Sequence, residues 1–439
     1  MSAISITLQR KPPASWLAIG GMWIVTGLLL NQWAIAAVLE VAQWGRISSA
    51  LIWGFDLLAI AWGLVTIFHS NRNLVKNLNV LALTVVVLLL SVEVVLRYWP
   101  SILGQQFANG VITKYSTRAD GIYYSDPTLR MNFMLPNFRT DMHYNGFTWS
   151  HQTDAYGFRN VETRNHADAL LLGDSNIYGH GVDLDQTVGH FLEKLTGLTV
   201  VNLARQGDSS FQQAYLLHEY IAQFSPRFVF YFFCENDIRD VYSYQTDDEI
   251  RQFVRTPTSE ITYPRRTNPA EAIRWRDADN DLAKHTGSIL DQVAQRSYLV
   301  AVWRWMRLLR RERELTERMA NKEHDVTNAD GLGWQYTKHA ISFMRRIASQ
   351  HGAEFVIAPV PAANKRLTEI LKRFADEQDI PFIKTDIMDR YNPATREWYL
   401  PGDHHFSGAG AKTIAGLVAR YVDGCRLPAS PHCPQFAFK

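Results

Sequence analysis

The stretch Ala167-Asp168-Ala169-Leu170-Leu171-Leu172-Gly173-Asp174-Ser175-Asn176 decides the fold of this chain. An apolar run is followed at once by Gly-Asp-Ser, which predicts a buried strand that ends in a turn carrying a serine. Ligands of open α/β sheets bind beyond the carboxyl ends of the strands, so Ser175 is a candidate functional residue. One Gly-Asp-Ser is a weak signal, and its weight depends on partners elsewhere in the sequence.

The pattern around this strand predicts an α/β fold. From residue 166 strand-like and helix-like segments alternate, as in a parallel sheet with helices on both faces. The expected strands are 167–172, 198–202, 228–233, 354–359 and 381–384, and the expected helices are 186–196, 210–224, 334–350, 365–379 and 408–421. The stretch from residue 238 to about 331 breaks the alternation. We expect an insertion there, polar at first and then a long helix around residues 288–322.

A loop before the last expected helix supplies the partners of a serine nucleophile. A serine hydroxyl needs an adjacent base, and the base needs an orienting group. The segment Asp403-His404-His405-Phe406 offers both. We assign His405 as the base and Asp403 as the carboxylate that orients it. A metal site built on His404 and His405 is not expected, because no third ligand cluster is visible in the sequence.

Three groups are candidates for an oxyanion hole, the set of donors that stabilises negative charge on a reacting carbonyl oxygen. They are the backbone N–H of Ser175, the backbone N–H of Gly207 and the side-chain amide of Asn236. Gly207 ends the segment 202–207, and Asn236 follows the apolar run 228–233, so both are expected near carboxyl ends of strands.

These four blocks together resemble the SGNH hydrolase superfamily, the GDSL-like esterases and lipases. The resemblance covers roughly residues 160–425 and implies a flavodoxin-like three-layer α/β/α domain that uses no metal or cofactor. It also implies a triad of Ser175, His405 and Asp403, with an oxyanion hole formed by Ser175, Gly207 and Asn236.

Three features depart from the family pattern. Asn176 follows the serine where leucine is common, and Glu235 stands where a glycine usually precedes Asn236-Asp237. One residue separates Asp403 from His405, where many members have two, although membrane-linked branches share this spacing. A carboxylate at Glu235 could oppose formation of an oxyanion, or it could point away and anchor a loop.

The first hundred residues predict a membrane anchor. Three apolar segments, residues 16–39, 47–68 and 78–98, are each long enough to cross a bilayer, which needs about 20 residues. A cleaved signal peptide has one shorter apolar core, so we expect three retained helices. The net charge of +2 over 439 residues does not indicate a nucleic-acid-binding protein.

Flanking charge predicts the orientation of these helices. Arg10 and Lys11 precede the first helix, and Arg72 and Lys76 lie between the second and third. Because basic loops stay in the cytoplasm, we expect a cytoplasmic N-terminus in a multi-pass protein of the inner membrane. Everything after residue 100 is then periplasmic or extracellular. Arg97 and Lys114 favour the reverse orientation.

The expected organisation is an anchor (1–99), an extracytoplasmic linker (100–165), the hydrolase-like domain (166–425) and a C-terminal tail (426–439). Cys425 and Cys433 could form a disulfide in an oxidising compartment.

Two features of the anchor and insertion leave alternatives open. Asp56 and Glu93 lie inside expected membrane helices, where a carboxylate is a functional suspect. We favour a structural role, with Asp56 facing Asn31 or Gln32 and Glu93 near a helix end. The arginine- and tryptophan-rich stretch 302–311 could lie on a membrane surface or pack on the domain as an ordinary amphipathic helix. We favour packing.

The leading functional hypothesis is a membrane-anchored extracytoplasmic serine esterase acting on O-acyl esters, either small acyl groups on envelope polysaccharide or lipid esters. The resemblance allows a close variant, an O-acyltransferase that passes the acyl group to a sugar hydroxyl with a membrane acyltransferase as partner. A third hypothesis is a non-catalytic subunit of a larger membrane complex that retains the fold. The expected partners are therefore the lipid bilayer, an acyl-ester substrate and one such membrane protein, with no nucleic acid.

Overall fold

A computed structural model describes residues 13–39, 44, 46–103, 121–144, 147–286, 297–300, 302–303, 306–307, 310, 313, 326–361, 365–388, 397–401 and 403–425. The chain divides into two compact units. We call Met1–Val111 with Asp277–Leu308 the anchor unit, and Ile112–Arg276 with Leu309–Lys439 the sheet unit.

The anchor unit contains helices α1 (Ala14–Leu29), α2 (Gln32–Leu39), α3 (Arg46–Phe68) and α4 (Asn73–Tyr98). Helices α3 and α4 are each long and apolar enough to cross a membrane, and α1 with α2 passes the same test as a pair bent by 68°. The bend lies at Asn31, whose side-chain oxygen accepts the N–H groups of Trp33 and Ala34 and so begins a new helix. The expected first helix is therefore broken in two.

One buried asparagine joins three of these helices. The side-chain oxygen of Asn79 on α4 accepts the indole N–H of Trp23 on α1 at 2.9 Å and that of Trp62 on α3 at 3.2 Å. Its amide donates to the Thr66 hydroxyl on α3 at 2.9 Å. A polar group away from water must be paired within the protein, so this network stabilises one arrangement of the helices.

The two carboxylates of the anchor differ in their surroundings. Asp56 is buried, and neither of its oxygens has a hydrogen-bond partner among the described residues. Asp56 therefore forms no hydrogen bond with Asn31 or Gln32, the two partners that we expected, and the Asn31 side-chain oxygen instead caps α2. Glu93 lies one turn before the end of α4 and binds the start of another helix, described below.

A four-stranded parallel sheet forms the centre of the sheet unit. Its strands are β5 (Ala169–Leu172), β6 (Val200–Asn202), β7 (Phe228–Tyr231) and β8 (Glu354–Ile357), in the order β6-β5-β7-β8. This is the flavodoxin-like order, whose switch point lies between the first and third strands, here β5 and β7. The expected fifth strand is reduced to a single parallel bridge between Ile357 and Phe382.

Helices cover both faces of this sheet and confirm the expected α/β class. Helix α6 (Val188–Thr196) packs with α13 (Gly408–Cys425), and α7 (Ser210–Phe224) packs with α11 (Leu332–Gln350). The remaining helices are the short α5 (Ser175–Tyr178), α8 (Asp237–Tyr244), α9 (Asp247–Arg255), α10 (Pro269–Thr286) and α12 (Lys365–Glu377).

The segment expected to be a linker contributes to the core of the sheet unit. It contains two antiparallel hairpins, β1 (Tyr123–Asp126) with β2 (Met131–Met134) and β3 (Arg139–Tyr144) with β4 (Phe147–Gln152). Phe133 and Trp149 of these hairpins are fully buried. Arg205 donates to the Asn132 carbonyl and lies over the Phe133 ring, so the first hairpin is bound to the loop after β6.

The insertion contributes to both units. Residues 277–308 belong to the anchor unit. Much of the long helix expected over 288–322 lies outside the described residues, and the described positions among 298–313 are helical. Cys425 is disulfide-bonded and Cys234 is free, whereas Cys433 lies outside the described residues.

Candidate active site

The fold brings Ser175, His405 and Asp403 into one hydrogen-bonded chain. Ser175 Oγ lies 2.8 Å from His405 Nε2, and His405 Nδ1 lies 2.5 Å from Asp403 Oδ1. Ser175 and His405 are separated by 230 positions in the sequence. A chain of hydroxyl, imidazole and carboxylate can act as nucleophile, base and orienting carboxylate, which are the roles that the sequence predicts for these three residues.

The turn that presents Ser175 requires a glycine before it. A Cβ at Gly173 would lie 2.6 Å from the Ile177 side chain, so only glycine allows α5 to fold back this closely onto β5. Asp174 then begins the helix, since its carboxylate accepts the N–H of Asn176 at 3.1 Å. Ser175 is the first residue of α5, and the first N–H groups of a helix have no acceptor within it.

Asn176, which departs from the family pattern, connects the two halves of the site. Its side-chain oxygen accepts the backbone N–H of Phe406 at 3.1 Å, directly after the histidine. On the other side of the loop the His405 carbonyl accepts the N–H of Leu400 at 2.9 Å. A leucine at position 176 could not make the first bond. The asparagine therefore positions the histidine loop against the nucleophile turn.

Asp403 is placed to accept several hydrogen bonds at once. Its side chain is only 4% exposed, and Oδ1 accepts the backbone N–H groups of His404 and His405 as well as the imidazole. The two backbone bonds hold the carboxylate in place independently of the ring. His404, the neighbouring histidine, is exposed.

The three oxyanion-hole candidates follow adjacent strands of the sheet. Gly207 has φ of +75°, a conformation that favours glycine, and its surroundings leave open space. The Asn236 amide donates to Asp240 Oδ2 at 2.8 Å, which uses one of its two hydrogens and orients the group. Glu235 is half-buried beside it.

His180 is a site residue that the sequence analysis missed. Its ring stacks on the His405 ring, with centroids 4.0 Å apart. Trp149 packs on the His180 ring, and the Gln206 amide lies 3.2 Å from His180 Nδ1. Burial, followed by the neighbouring His405, lowers the pKa of His180 to about 2, so its ring is neutral. The only signal in the sequence was a histidine five residues after the candidate nucleophile.

A buried arginine holds the loop that carries His180. The Arg159 guanidinium donates to the carbonyls of Tyr178 and Gly179 at the end of α5 and to that of Val182. It also donates to the Ser150 carbonyl in hairpin β3–β4. Arg159 ends a Tyr-Gly-Phe-Arg segment that precedes β5 in the sequence. It is a positioning residue, since it contacts the loop and not the reacting groups.

Two buried acids, Asp208 and Asp237, follow strands β6 and β7. Asp237 accepts hydrogen bonds from the Tyr231 hydroxyl and the Cys234 N–H, and burial raises its pKa well above the ordinary value. Burial likewise raises the pKa of Asp208 to about 6, although its ion pair with Arg205 opposes this. Asp237 therefore holds the loop after β7 through these two hydrogen bonds. Its neighbour Asn236 is partly accessible.

One cluster in the described part of the chain has the composition of a metal site. His180, Asp403 and His405 offer ligand atoms that all lie within 4.8 Å of one another. The sequence shows no third ligand cluster near His404 and His405, because His180 comes from a distant loop. Both His405 nitrogens already face Ser175 and Asp403, so these atoms form a hydrogen-bonded chain suited to proton transfer.

Solved structures are similar to this chain at low sequence identity and with low TM-scores. No family model and no curated protein matches the chain. It is similar in structure to the lipase/acylhydrolase from Enterococcus faecalis, with 14% identity, 61% of this chain and 99% of that chain covered, and a TM-score of 0.32. It is also similar to the psychrotrophic esterase EstA from Pseudoalteromonas sp., with 8% identity, coverage of 58% and 97%, and a TM-score of 0.32. TesA matches with 11% identity, coverage of 58% and 97%, and a TM-score of 0.31.

In the sheet unit, parallel strands in the order β6-β5-β7-β8 carry the Gly-Asp-Ser turn at the carboxyl end of β5. Identities and TM-scores this low do not indicate an activity, which depends on the residues of the site itself.

Proposed function

We propose that this protein is a membrane-anchored extracytoplasmic serine esterase that cleaves O-acyl esters, acetyl or lipid, through an acyl-enzyme. The observation that carries the proposal is the contact of 2.8 Å between Ser175 Oγ and His405 Nε2. A hydroxyl at this distance from an oriented imidazole can transfer its proton as it attacks.

In the first half-reaction, Ser175 Oγ attacks the ester carbonyl carbon and its proton moves to His405 Nε2. Asp403 accepts the Nδ1–H bond and stabilises the imidazolium that forms. As the tetrahedral intermediate collapses, the C–O bond to the alcohol breaks and His405 returns the proton to the leaving oxygen. The product alcohol departs, and the acyl group stays on Ser175.

In the second half-reaction, water takes the place of the alcohol. His405 removes a proton from the water as its oxygen attacks the acyl carbon, and the same proton then returns to Ser175 Oγ. The carboxylic acid leaves and the enzyme is regenerated. A sugar hydroxyl in place of this water would make the protein an O-acyltransferase by the same steps, so product analysis with and without a sugar acceptor distinguishes the two activities.

Charge on the carbonyl oxygen would be stabilised by the N–H groups of Ser175 and Gly207 and by the Asn236 amide. The first of these stands at the N-terminus of α5, where the helix dipole also favours negative charge. Donors of this kind are often the largest catalytic contribution.

Three observations support the proposed location. Up to three spans in the anchor unit fit a multi-pass membrane protein, and the basic flanks Arg10, Lys11, Arg72 and Lys76 fit a cytoplasmic N-terminus. The disulfide at Cys425 fits an oxidising compartment such as the periplasm. Alkaline phosphatase fused after residue 425 should be active, and an inactive fusion with an active cytoplasmic reporter would reverse the orientation.

Labelling with a fluorophosphonate probe tests the activity. The full chain in detergent should be labelled and should cleave p-nitrophenyl acetate, and Ser175→Ala should abolish both. Ser342→Ala is the matched control, because among the described residues that hydroxyl donates only to the Lys338 carbonyl of its own helix. Labelling that persists in Ser175→Ala would refute the nucleophile. Folded wild-type protein that takes no label would favour the non-catalytic membrane subunit.

A further inference from the structure

A helix begins at Tyr298, in the part of the insertion that belongs to the anchor unit. Residues 298–300, 302–303 and 306–307 are helical, and we call them the insertion helix. Although this stretch interrupts the sheet unit in sequence, it groups with helices α1–α4. The proposed esterase mechanism uses none of its residues.

Glu93 of α4 binds the N-terminus of the insertion helix. Its carboxylate accepts the backbone N–H groups of Tyr298 and Leu299, each at 3.0 Å, and the Ser297 hydroxyl at 2.9 Å. A carboxylate at the start of a helix satisfies otherwise unpaired N–H groups and interacts favourably with the helix dipole.

The position of Glu93 sets the depth at which this helix starts. Glu93 lies five residues before the end of α4 at Tyr98, which corresponds to roughly 7.5 Å along the helix axis. Tyr98 and Trp99 at that end are exposed aromatic residues, of the kind that mark the boundary between bilayer and water. Arg97 is bonded to Glu93 and lies over the Tyr298 ring. The insertion helix therefore starts at the expected level of the membrane interface.

Its side chains are those of an interfacial helix. Trp303 is 46% exposed and Met306 is 53% exposed, three positions apart on a helix. The Arg307 guanidinium lies over the Trp303 ring, 4.8 Å from its centroid, so a cation and an aromatic face share one side. The packing on the domain that we expected would cover Trp303, whose side chain is instead half exposed.

We propose that the insertion helix lies on the bilayer surface, with Trp303 and Met306 at the boundary of headgroups and acyl chains and Arg307 on the phosphates of anionic lipids. Two observations indicate an anionic bilayer as the surface that the insertion helix contacts. Glu93 joins the insertion helix to a membrane-spanning helix, and the insertion helix is basic. Residues 296–311 contain five arginines and no acidic residue. Basic helices with tryptophan on the apolar side bind anionic bilayers in this way. The inference rests on the proposed membrane anchoring.

Nitroxide accessibility in nanodiscs tests this placement. The full chain is reconstituted in a 3:1 mixture of phosphatidylethanolamine and phosphatidylglycerol, and Met306→Cys is labelled. Collisions with oxygen, which concentrates in lipid, are compared with those with a water-soluble nickel chelate. Val87→Cys, on an exposed position of α4, serves as the membrane reference, and Leu195→Cys, on an exposed position of the sheet unit, serves as the aqueous one. The parent chain measures background labelling.

We expect the label at position 306, like the label at position 87, to collide often with oxygen and rarely with the chelate. High access to the chelate at Met306, with Val87 protected, would overturn the inference and leave the anchoring intact. Low access to both reagents would also overturn it, because the side chain would then be covered by protein. A water-exposed Val87 would instead refute the membrane anchoring itself.

Charge reversal tests the lipid class. Arg307→Glu in the Met306→Cys background should raise access to the chelate in the anionic nanodiscs, and so should replacing the mixture with phosphatidylcholine. Arg373→Glu, an exposed arginine on α12, is the matched control and should have no effect. Unchanged accessibility in both cases would overturn the assignment to anionic lipid.

Discussion

The imidazole of His180 stacks on the imidazole of His405, with ring centroids 4.0 Å apart and planes inclined by 22°. His180 is buried and neutral, because burial and the neighbouring ring lower its pKa to about 2. A neutral ring can hold the base in position without placing a second positive charge beside the imidazolium that forms during catalysis. This makes His180 a positioning residue for the proposed base.

We predict that His180→Ala lowers kcat for p-nitrophenyl acetate about 10- to 100-fold, since a shift of about 1 Å in a reacting group can cost 10²-fold. KM should change less than about twofold, because His180 acts through His405. His180→Phe preserves a stacking surface and should recover most of the loss. A variant His180→Ala with wild-type kcat would exclude this role.

Substitutions in the histidine loop distinguish two adjacent histidines. Asp403→Asn should lower kcat on the order of 10³–10⁴-fold, because the amide no longer stabilises the imidazolium or its correct tautomer. His404→Ala should leave kcat within about twofold, since that side chain is exposed. Steady-state kinetics of both variants test the assignment, and a large loss in His404→Ala alone would mean that the base is His404.

The hydrogen bond of 2.8 Å from Asn236 to Asp240 predicts coupled effects on the oxyanion hole. Asn236→Ala should lower kcat about 10²- to 10³-fold by removing a donor. Asp240→Ala should cost less, because it removes only the group that orients the amide. In a double-mutant cycle the two losses should not add, since Asp240 acts through Asn236. If the two losses in kcat added fully, Asp240 would not act through Asn236.

Buried His151 predicts a dependence of stability on pH. It accepts or donates one bond of 2.7 Å to the Tyr178 hydroxyl, and burial lowers its pKa from 6.5 to about 3. Below pH 6.5 the unfolded chain takes up a proton that the folded protein does not, so this stability is lost as the pH falls toward 3. Between pH 7 and 5 the loss amounts to about 2 kcal/mol.

Thermal unfolding of the full chain at pH 5, 6 and 7 measures this effect. His151→Asn lacks the titrating ring and should lose correspondingly less stability on acidification, even if it is less stable at pH 7. Other buried groups titrate in both proteins, so the difference between the two isolates His151. Equal losses would show that another group is responsible.

The Asn79 network predicts a loss of stability confined to the anchor unit. Asn79→Leu removes the bonds to Trp23, Trp62 and Thr66 and should destabilise the membrane helices by about 1–2 kcal/mol, measured by unfolding in SDS. Ser91→Ala on the same helix is the control, because its hydroxyl donates only to the Val87 carbonyl within the part of the chain that the structure describes. Esterase activity of the folded protein should be unaffected by either change.

Much of the fold followed from local pattern. Helix 210–224 begins and ends where it was expected, and the four central strands begin within two residues of their expected starts, because buried strands and amphipathic helices differ in apolar period. The expected strand at 381–384 became a single bridge at Phe382, since its length depends on an edge pairing that sequence does not encode locally. The bend at Asn31 was missed because both halves are equally apolar.

The sequence by itself determined the chemistry available at this site. The residue types and their order, Gly-Asp-Ser, then glycine, asparagine and finally Asp403 with His405, predict a serine hydrolase because that reaction needs a nucleophile, a base and oxyanion donors. Only the tertiary structure decided which residues hold these catalytic groups in position. His180, Arg159 and Asn176 act through contacts with residues distant in sequence or in loops of no regular period. Glu93 reaches Tyr298 across 205 positions. Such contacts arise when separate segments pack together, so periodicity and spacing could not reveal them.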